Sequence, residues 1–164
     1  MSDIPLEIRF RVLCEITRAQ HFAWRQAVVE MCPDLDATQV VNKMWKITGH
    51  ETAKAYLKRL DSSKPLPMQL AASIVWSSVC MGEEAHVEPG RDEQEAFVVH
   101  NACPWFLWHQ RLNLLPEDQP GCDIWFETAV LDIREQLGID VRIETLSSLP
   151  EKGDVCKRRI WVEK

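Results

Sequence analysis

The stretch GEEAHVEPGRDEQEAFVVHNAC, residues 82–103, decides the fold because two short alternating segments flank a turn within it. The first segment is Ala85 to Glu88 and the second is Glu95 to His100, with Pro89 to Asp92 between them. Alternation on both sides of a Pro-Gly turn predicts an antiparallel hairpin. Helical periodicity precedes this stretch, so we expect the chain to change from helices to strands here.

Three helices are predicted before the hairpin. The first begins at Ser2 or Asp3 as N-cap, and the second follows a capping box formed by Asp36 and Gln39. The third spans about Met68 to Met81 and is apolar nearly all round, which predicts burial between other elements or in an oligomer. The apolar stripe of the first helix is expected at Ile8, Val12, Ile16, Ala23, Ala27 and Met31.

Two further helices and two strands are predicted after the hairpin. A short helix opens at Pro104 and runs to about Leu112, and residues 116–121 form a loop. A longer helix spans Cys122 to Leu137. Clean alternation from Val141 to Leu146 and the segment Val155 to Glu163 predict the last two strands.

This order predicts an α+β fold, with an N-terminal half of three helices followed by a small, mainly antiparallel sheet with two helices. A length of 164 residues suits one domain. We therefore expect a single domain over residues 1–164, with a helical subregion at 1–82 and an α+β subregion at 83–164 that carries the candidate site.

Composition limits the functional classes. Lys and Arg number 19 against 25 Asp and Glu, and the formal net charge of -6 argues against a nucleic-acid partner. The basic cluster Lys157-Arg158-Arg159 is expected to be a solvated face or a carboxylate clamp. No secretory signal or stretch of about 18 apolar residues is visible, so we expect a cytoplasmic protein without a membrane partner and with reduced cysteines.

Three cysteines define the candidate site, because each lies where one predicted element gives way to another. Cys103 ends a strand, Cys122 starts a predicted helix, and Cys156 heads the last strand. Pairing of the second and last strands would bring them together. The dipole at a helix start favours a thiolate, so Cys122 is the best candidate for a nucleophile or metal ligand.

Thiolates with an imidazole or carboxylate make a plausible zinc or iron set, although no compact ligand motif is present. Thiol catalysis with a histidine base is the alternative, and simple core packing of the cysteines is a third. The candidates for proton transfer are His109, Asp123 and Asp154.

Tryptophans are concentrated in the same half of the chain. They wall an apolar or planar ligand pocket in one interpretation and pack an ordinary core in the other. The candidate pocket residues are His100, Trp105, Trp108, Trp125 and Trp161.

The runs at residues 100–105, 121–123 and 149–156 resemble the L-2-amino-thiazoline-4-carboxylic acid hydrolase-like family and its uncharacterised relatives. The resemblance covers roughly residues 95–163, and the three cysteines match the family's cysteine positions. It implies a hydrolase that opens a five-membered ring containing sulfur and nitrogen to give a carbamoyl amino acid.

The leading hypothesis is therefore a small hydrolase-like enzyme acting on a cyclic amidine with cysteine-bound metal or cysteine chemistry. A rival hypothesis is a non-catalytic binding protein for a planar or hydrophobic small ligand, with structural zinc or packed cysteines. A structural or assembly role, with a possible homodimer, is the third.

Overall fold

The computed structural model describes residues 4–163, so the predicted N-cap residues Ser2 and Asp3 lie outside the described part. Within this range the chain forms five helices and four strands. In chain order these are α1 Leu6–Met31, α2 Ala37–Leu57, α3 Leu66–Cys80, β1 Glu84–Pro89, β2 Glu95–Ala102, α4 Pro104–Arg111, α5 Leu115–Leu137, β3 Val141–Ser147 and β4 Cys156–Val162.

The predicted α+β class is confirmed, with three helices before a small antiparallel sheet and two helices between its hairpins. The strand order is β1-β2-β4-β3, and every neighbouring pair is antiparallel. The expected pairing of the second and last strands is present, and it sets His100 opposite Cys156. This register brings the end of β2 and the start of β4 to the same edge of the candidate site.

The two faces of the sheet differ because side chains alternate along each strand. Helices α3 and α5 pack against one face, here called the inner face. In β4 the buried residues are Cys156, Arg158 and Ile160, and the intervening positions are partly exposed on the outer face. The core of this region is formed by residues of α2, α3, α5 and the strands, among them Leu70, Ile74, Ala129, Ile133 and Ile160.

Helix α5 begins at Leu115 rather than at Cys122, which corrects the prediction of a loop over residues 116–121. Pro116 falls in the first turn, where a missing N–H leaves no helical bond unmade. Pro120 lies inside the helix and removes one bond near its start, which the remaining turns outweigh. Gly138 ends α5 in the left-handed conformation at φ 64°, as predicted.

Glycine allows a close approach of α2 and α5. A Cβ at Gly49 would lie 2.7 Å from Thr128 Cβ and 2.8 Å from the carbonyl oxygen of Trp125. Gly49 lies within the continuous helix α2, and its missing side chain lets the backbone of α2 approach α5 closely.

The buried face of α1 is not the one predicted. Its buried residues are Cys14, Arg18 and Phe22, whereas the expected core positions Val12 and Ile16 are exposed. The apolar periodicity predicted this helix correctly. More than one apolar stripe is possible on α1, and the stripe expected to be its buried face was wrong.

Contacts within the chain divide it into two compact units with the boundary between Val41 and Asn42. This boundary falls inside α2. None of the described helices combines the length and the apolarity needed to cross a bilayer.

Candidate functional site

A cavity lies on the inner face of the sheet, within the unit that begins at Asn42. Its volume of about 30 Å³ is enough for roughly two water molecules. Residues from α2, α4, α5, β2 and β4 contribute to its walls. The lining consists of Trp45, Glu83, His100, Cys103, Trp105, His109, Asp118, Gln119, Cys122, Trp125, Phe126, Cys156 and Arg158.

Aromatic rings form one wall of the cavity. The rings of Trp45 and Trp125 stack at 5.5 Å, and Trp45 meets Trp105 edge to face at 5.8 Å. The indole N–H of Trp125 donates to Thr52 Oγ1 at 2.8 Å, which fixes the orientation of the ring. This wall presents flat apolar surface to anything inside the cavity.

His100 on β2 forms the first of two buried carboxylate and imidazole pairs. Its Nε2 lies 3.2 Å from Glu83 Oε2 and 2.9 Å from Ser78 Oγ. The Nδ1 atom of the same ring is buried and has no hydrogen-bond partner. One side of the ring is therefore held, and the other has unused hydrogen-bonding capacity.

His109 on α4 forms the second pair. Its Nδ1 lies 3.0 Å from the carbonyl oxygen of Trp105 and 2.7 Å from Asp118 Oδ1. The Asp118 oxygen is close but not aligned for a hydrogen bond. Both side chains are almost completely buried, so the pair is shielded from solvent.

The three cysteines converge on the cavity, but their surroundings favour neutral thiols. Burial, reinforced by the nearby Glu83 carboxylate, raises the pKa of Cys103 to about 12. Burial also raises the pKa of Cys122 well above its ordinary value, and raises that of Cys156. The thiolate expected at Cys122 is wrong, because α5 starts at Leu115 and places this thiol in a buried later turn.

Arg158 supplies a positive charge to the cavity wall. Its side chain is 3% exposed, and its Nη2 lies 3.5 Å from Asp123 Oδ1. The guanidinium carbon is 4.8 Å from the centre of the Phe126 ring. Its Nε is buried without a hydrogen-bond partner.

Four of the predicted site residues do not line the cavity. Asp123 accepts hydrogen bonds from Gln119 and Thr145, and Asp154 is exposed in the turn before β4. Trp108 stacks under the guanidinium of Arg111 at 3.8 Å. Trp161 belongs to the outer face of the sheet. The predicted residues that do line it are His100, Cys103, Trp105, His109, Cys122, Trp125 and Cys156.

Six lining residues were not predicted from the sequence. Arg158 could have been predicted to lie on the same face of β4 as Cys156, because residues two apart in a strand share a face. The others lie on helices or in a turn distant in sequence, and no local motif marks them. They are Trp45, Glu83, Asp118, Gln119 and Phe126.

The described residues give no support to the metal-binding interpretation, and zinc or iron stays a prediction. Over residues 4–163, no three His, Cys, Asp or Glu side chains are grouped so that they would hold a metal ion. The cysteines lie among aromatic and polar side chains of the cavity wall.

The site and the fold together define an α+β protein with a cavity between an antiparallel sheet and its helices. No protein-family model and no curated protein matches the chain. A similar solved structure is the trafficking protein particle complex subunit 3 from Naegleria fowleri covalently bound to palmitic acid. The TM-score is 0.59 at 16% identity, with 94% of this chain and 97% of that chain covered.

This likeness corrects the leading functional hypothesis. The similar structure is a trafficking protein particle complex subunit, and this finding contradicts the hydrolase interpretation. The neutral thiols and the absence of Asp123 and Asp154 from the cavity agree with this correction. The resemblance to the thiazoline hydrolase-like family stays a prediction that no comparison tests.

Proposed function

We propose that this chain is a non-catalytic binding protein for a small ligand with a planar or otherwise apolar body. The observation that carries the proposal is the aromatic wall of the cavity, formed by Trp45, Trp105, Trp125 and Phe126. Cavities of this kind take apolar groups and use a few polar atoms to orient them. A cytoplasmic location fits, because all six cysteines are free thiols.

The cysteines act as packing groups in this proposal. A thiol attacks or ligates as thiolate, and the pKa of about 12 at Cys103 keeps that form rare near neutral pH. A neutral thiol is a small, polarizable group that packs well against aromatic rings. Cys103, Cys122 and Cys156 therefore make the cavity more apolar.

The volume of the cavity sets a condition on binding. Space of about 30 Å³ does not admit a molecule of more than a few atoms. A larger ligand enters only when part of the wall moves, and the eight-residue helix α4, which carries Trp105, is the shortest helical element of the wall. We infer that ligand binding displaces α4.

The structural neighbour carries palmitic acid covalently. That chemistry belongs to the neighbour, and in this chain the raised pKa values of the three cavity thiols argue against spontaneous acylation at neutral pH. We therefore propose reversible binding for this chain.

The test is titration with small neutral probes, benzamide and hexanamide, followed by tryptophan emission and calorimetry. Saturable binding is expected, with each probe recovered unchanged. Trp105→Leu removes part of the wall and is expected to weaken binding about tenfold. The control is Trp108→Leu, one helical turn away and outside the cavity lining, which leaves affinity unchanged.

Conversion of either amide to its acid would contradict a non-catalytic role. Absence of saturable binding, or equal loss of affinity in the Trp105 and Trp108 variants, would contradict the proposed site.

Assembly into a homodimer is a second candidate function, and a specific feature of α1 favours it. An exposed row of residues on this helix repeats at alternating spacings of four and three, as in the seam of a coiled coil. Charges of both signs flank it, among them Glu7, Arg11 and Glu30, so the helix selects neither an acidic nor a basic partner. The row is Leu6, Phe10, Leu13, Thr17, Gln20, Trp24, Ala27 and Met31.

A second copy offers the same spacing and is the partner we propose. Light scattering at several protein concentrations is expected to give the mass of a dimer, and Leu13→Glu is expected to give the mass of a monomer. Leu107→Glu, at another exposed leucine, is the matched control and should leave the dimer intact. A monomeric wild-type protein at all concentrations rules this assembly out.

A further inference from the structure

The inner-face residue Arg158 is a buried cation whose surroundings in the structure do not use its hydrogen-bonding capacity. A guanidinium has five N–H donors in a rigid planar fork, and its burial is costly unless those donors are paired. Only 3% of Arg158 is exposed, so bulk solvent does not supply the missing partners. The side chain lines the cavity.

The carboxylate nearest to Arg158 is already occupied. Asp123 Oδ1 accepts from Gln119 Nε2 and from Thr145 Oγ1, each at 2.7 Å. Arg158 Nη2 reaches the same oxygen at 3.5 Å, the long limit of a hydrogen bond. Its Nε has no partner at all. Asp123 thus compensates part of the charge of Arg158 but does not satisfy all the N–H donors of its guanidinium.

The other two carboxylates of the cavity lie beside imidazoles. Glu83 Oε2 is 3.2 Å from His100 Nε2, and Asp118 Oδ1 is 2.7 Å from His109 Nδ1. In the described part of the chain, neither carboxylate forms an ion pair with Arg158. The cavity is therefore lined by a guanidinium whose donors no carboxylate of its wall fills.

We propose that the ligand of this cavity is a small organic monocarboxylate, held by its carboxylate on Arg158 with its apolar body against the aromatic wall. This inference rests on the proposed binding function and adds the class of ligand. A planar carboxylate matches the guanidinium fork with two parallel hydrogen bonds. Phe126, stacked near the guanidinium at 4.8 Å, helps to hold the fork in place.

A carboxylate fits better than a phosphate for reasons of charge and size. Glu83 and Asp118 line the same cavity, so a second negative charge on the ligand would meet two acidic side chains. A phosphate also requires more donors than one fork supplies, and it is larger and more strongly hydrated. A single negative charge on a flat group is what the site accommodates.

The experiment compares acids with their uncharged amides on the full chain. Benzoate and hexanoate are titrated beside benzamide and hexanamide, and affinity is measured by calorimetry and by tryptophan emission. Wild-type protein is expected to bind each acid about tenfold to a hundredfold more tightly than the matched amide. Inorganic phosphate is expected not to compete with benzoate.

Arg158→Met keeps the length of the side chain and removes its charge, and it is expected to abolish the preference for acids while amide binding persists. Arg159→Met is the matched control, since this neighbouring arginine lies on the outer face, and it should leave the preference unchanged. The acid and amide comparison on wild-type protein decides the question even if the Arg158 variant does not fold.

Equal affinity for acids and amides overturns the carboxylate inference and leaves the proposed binding function intact. Competition by phosphate overturns it in favour of a general anion site. Failure of all four probes to bind overturns the proposed function and this inference with it. An unchanged preference in Arg158→Met removes Arg158 from the site.

Discussion

Arg158 and Arg159 are neighbours in sequence and lie on opposite faces of one strand. Arg159 is partly exposed and meets Glu95 at 2.6 Å and Glu144 at 3.4 Å. Arg158 is buried and has one carboxylate at 3.5 Å. The exposed arginine is thus well paired and the buried one is not, the reverse of what stability alone favours. A poorly paired buried charge beside a cavity is typical of a functional site.

The largest expected effect is a difference in reactivity between buried and exposed thiols. Cys103 on the inner side has a pKa of about 12 where an ordinary thiol has 9.0, so its thiolate fraction near neutral pH is lower by about a thousandfold. Alkylation by iodoacetamide, followed by mass spectrometry, should modify the exposed Cys32 and Cys80 first. Rapid modification of Cys103 or Cys122 in folded protein would contradict the expected difference between buried and exposed thiols.

The second effect concerns packing on the two faces. Ile160 is fully buried on the inner face of β4, and Ile160→Ala is expected to lower the free energy of unfolding by about 3 kcal/mol through lost burial and a cavity. Leu146→Ala on the outer face should change it by about 0.5 kcal/mol or less, because that side chain is half exposed. Urea denaturation measures the free energy of unfolding of both variants. Similar losses would mean that the outer face at Leu146 is buried as the inner face at Ile160 is.

The third effect is a dependence of stability on pH. A thiol whose pKa is raised by folding stabilises the native state fully below its unfolded value of 9.0, and this contribution is lost as pH rises toward about 12. The free energy of unfolding should fall in this window by about 1.4 kcal/mol per pH unit for each such thiol.

Denaturation at pH 8 and pH 10 tests this, with Cys103→Ala beside wild type. The variant should have a shallower dependence on pH, although Tyr56, whose pKa is also raised to about 12, contributes in the same direction. An identical dependence in both proteins would exclude Cys103 as a buried neutral thiol.

The smallest expected effect belongs to the outer face. Arg159→Met removes the pairs with Glu95 and Glu144 and should lower the free energy of unfolding only slightly, because exposed ion pairs are weak and screened. The loss should shrink further in 1 M salt. A large loss that salt does not change would mean that the outer pairs are as important as the inner core.

The strands were predictable because their signals are local. Alternation around Pro89-Gly90 and between Val141 and Leu146 is sufficient to locate three of the four strands within a residue or two. The start of α5 was not predictable from the sequence. Prolines at 116 and 120 are typical of a loop, and only the folded structure shows that the helix tolerates them.

The site was predictable in part for the same reason. Cys103 follows β2 and Cys156 begins β4, so the predicted pairing of these two strands places both cysteines at the cavity. The opposite wall comes from Trp45 on α2, and no spacing in the sequence relates it to β4. Whether a thiol is charged depends on burial, which is a property of the folded chain, so the thiolate expected at Cys122 was inferred from an incorrect helix start.

The strand order β1-β2-β4-β3 has a consequence for synthesis of the protein. Strand β4 is the last described strand to leave the ribosome, yet it lies between β2 and β3. Until residues 156–162 emerge, each of those two strands keeps an open edge that invites pairing with other chains. A nascent chain stalled before β4 should therefore depend on chaperones, and release of the last strand should end that dependence.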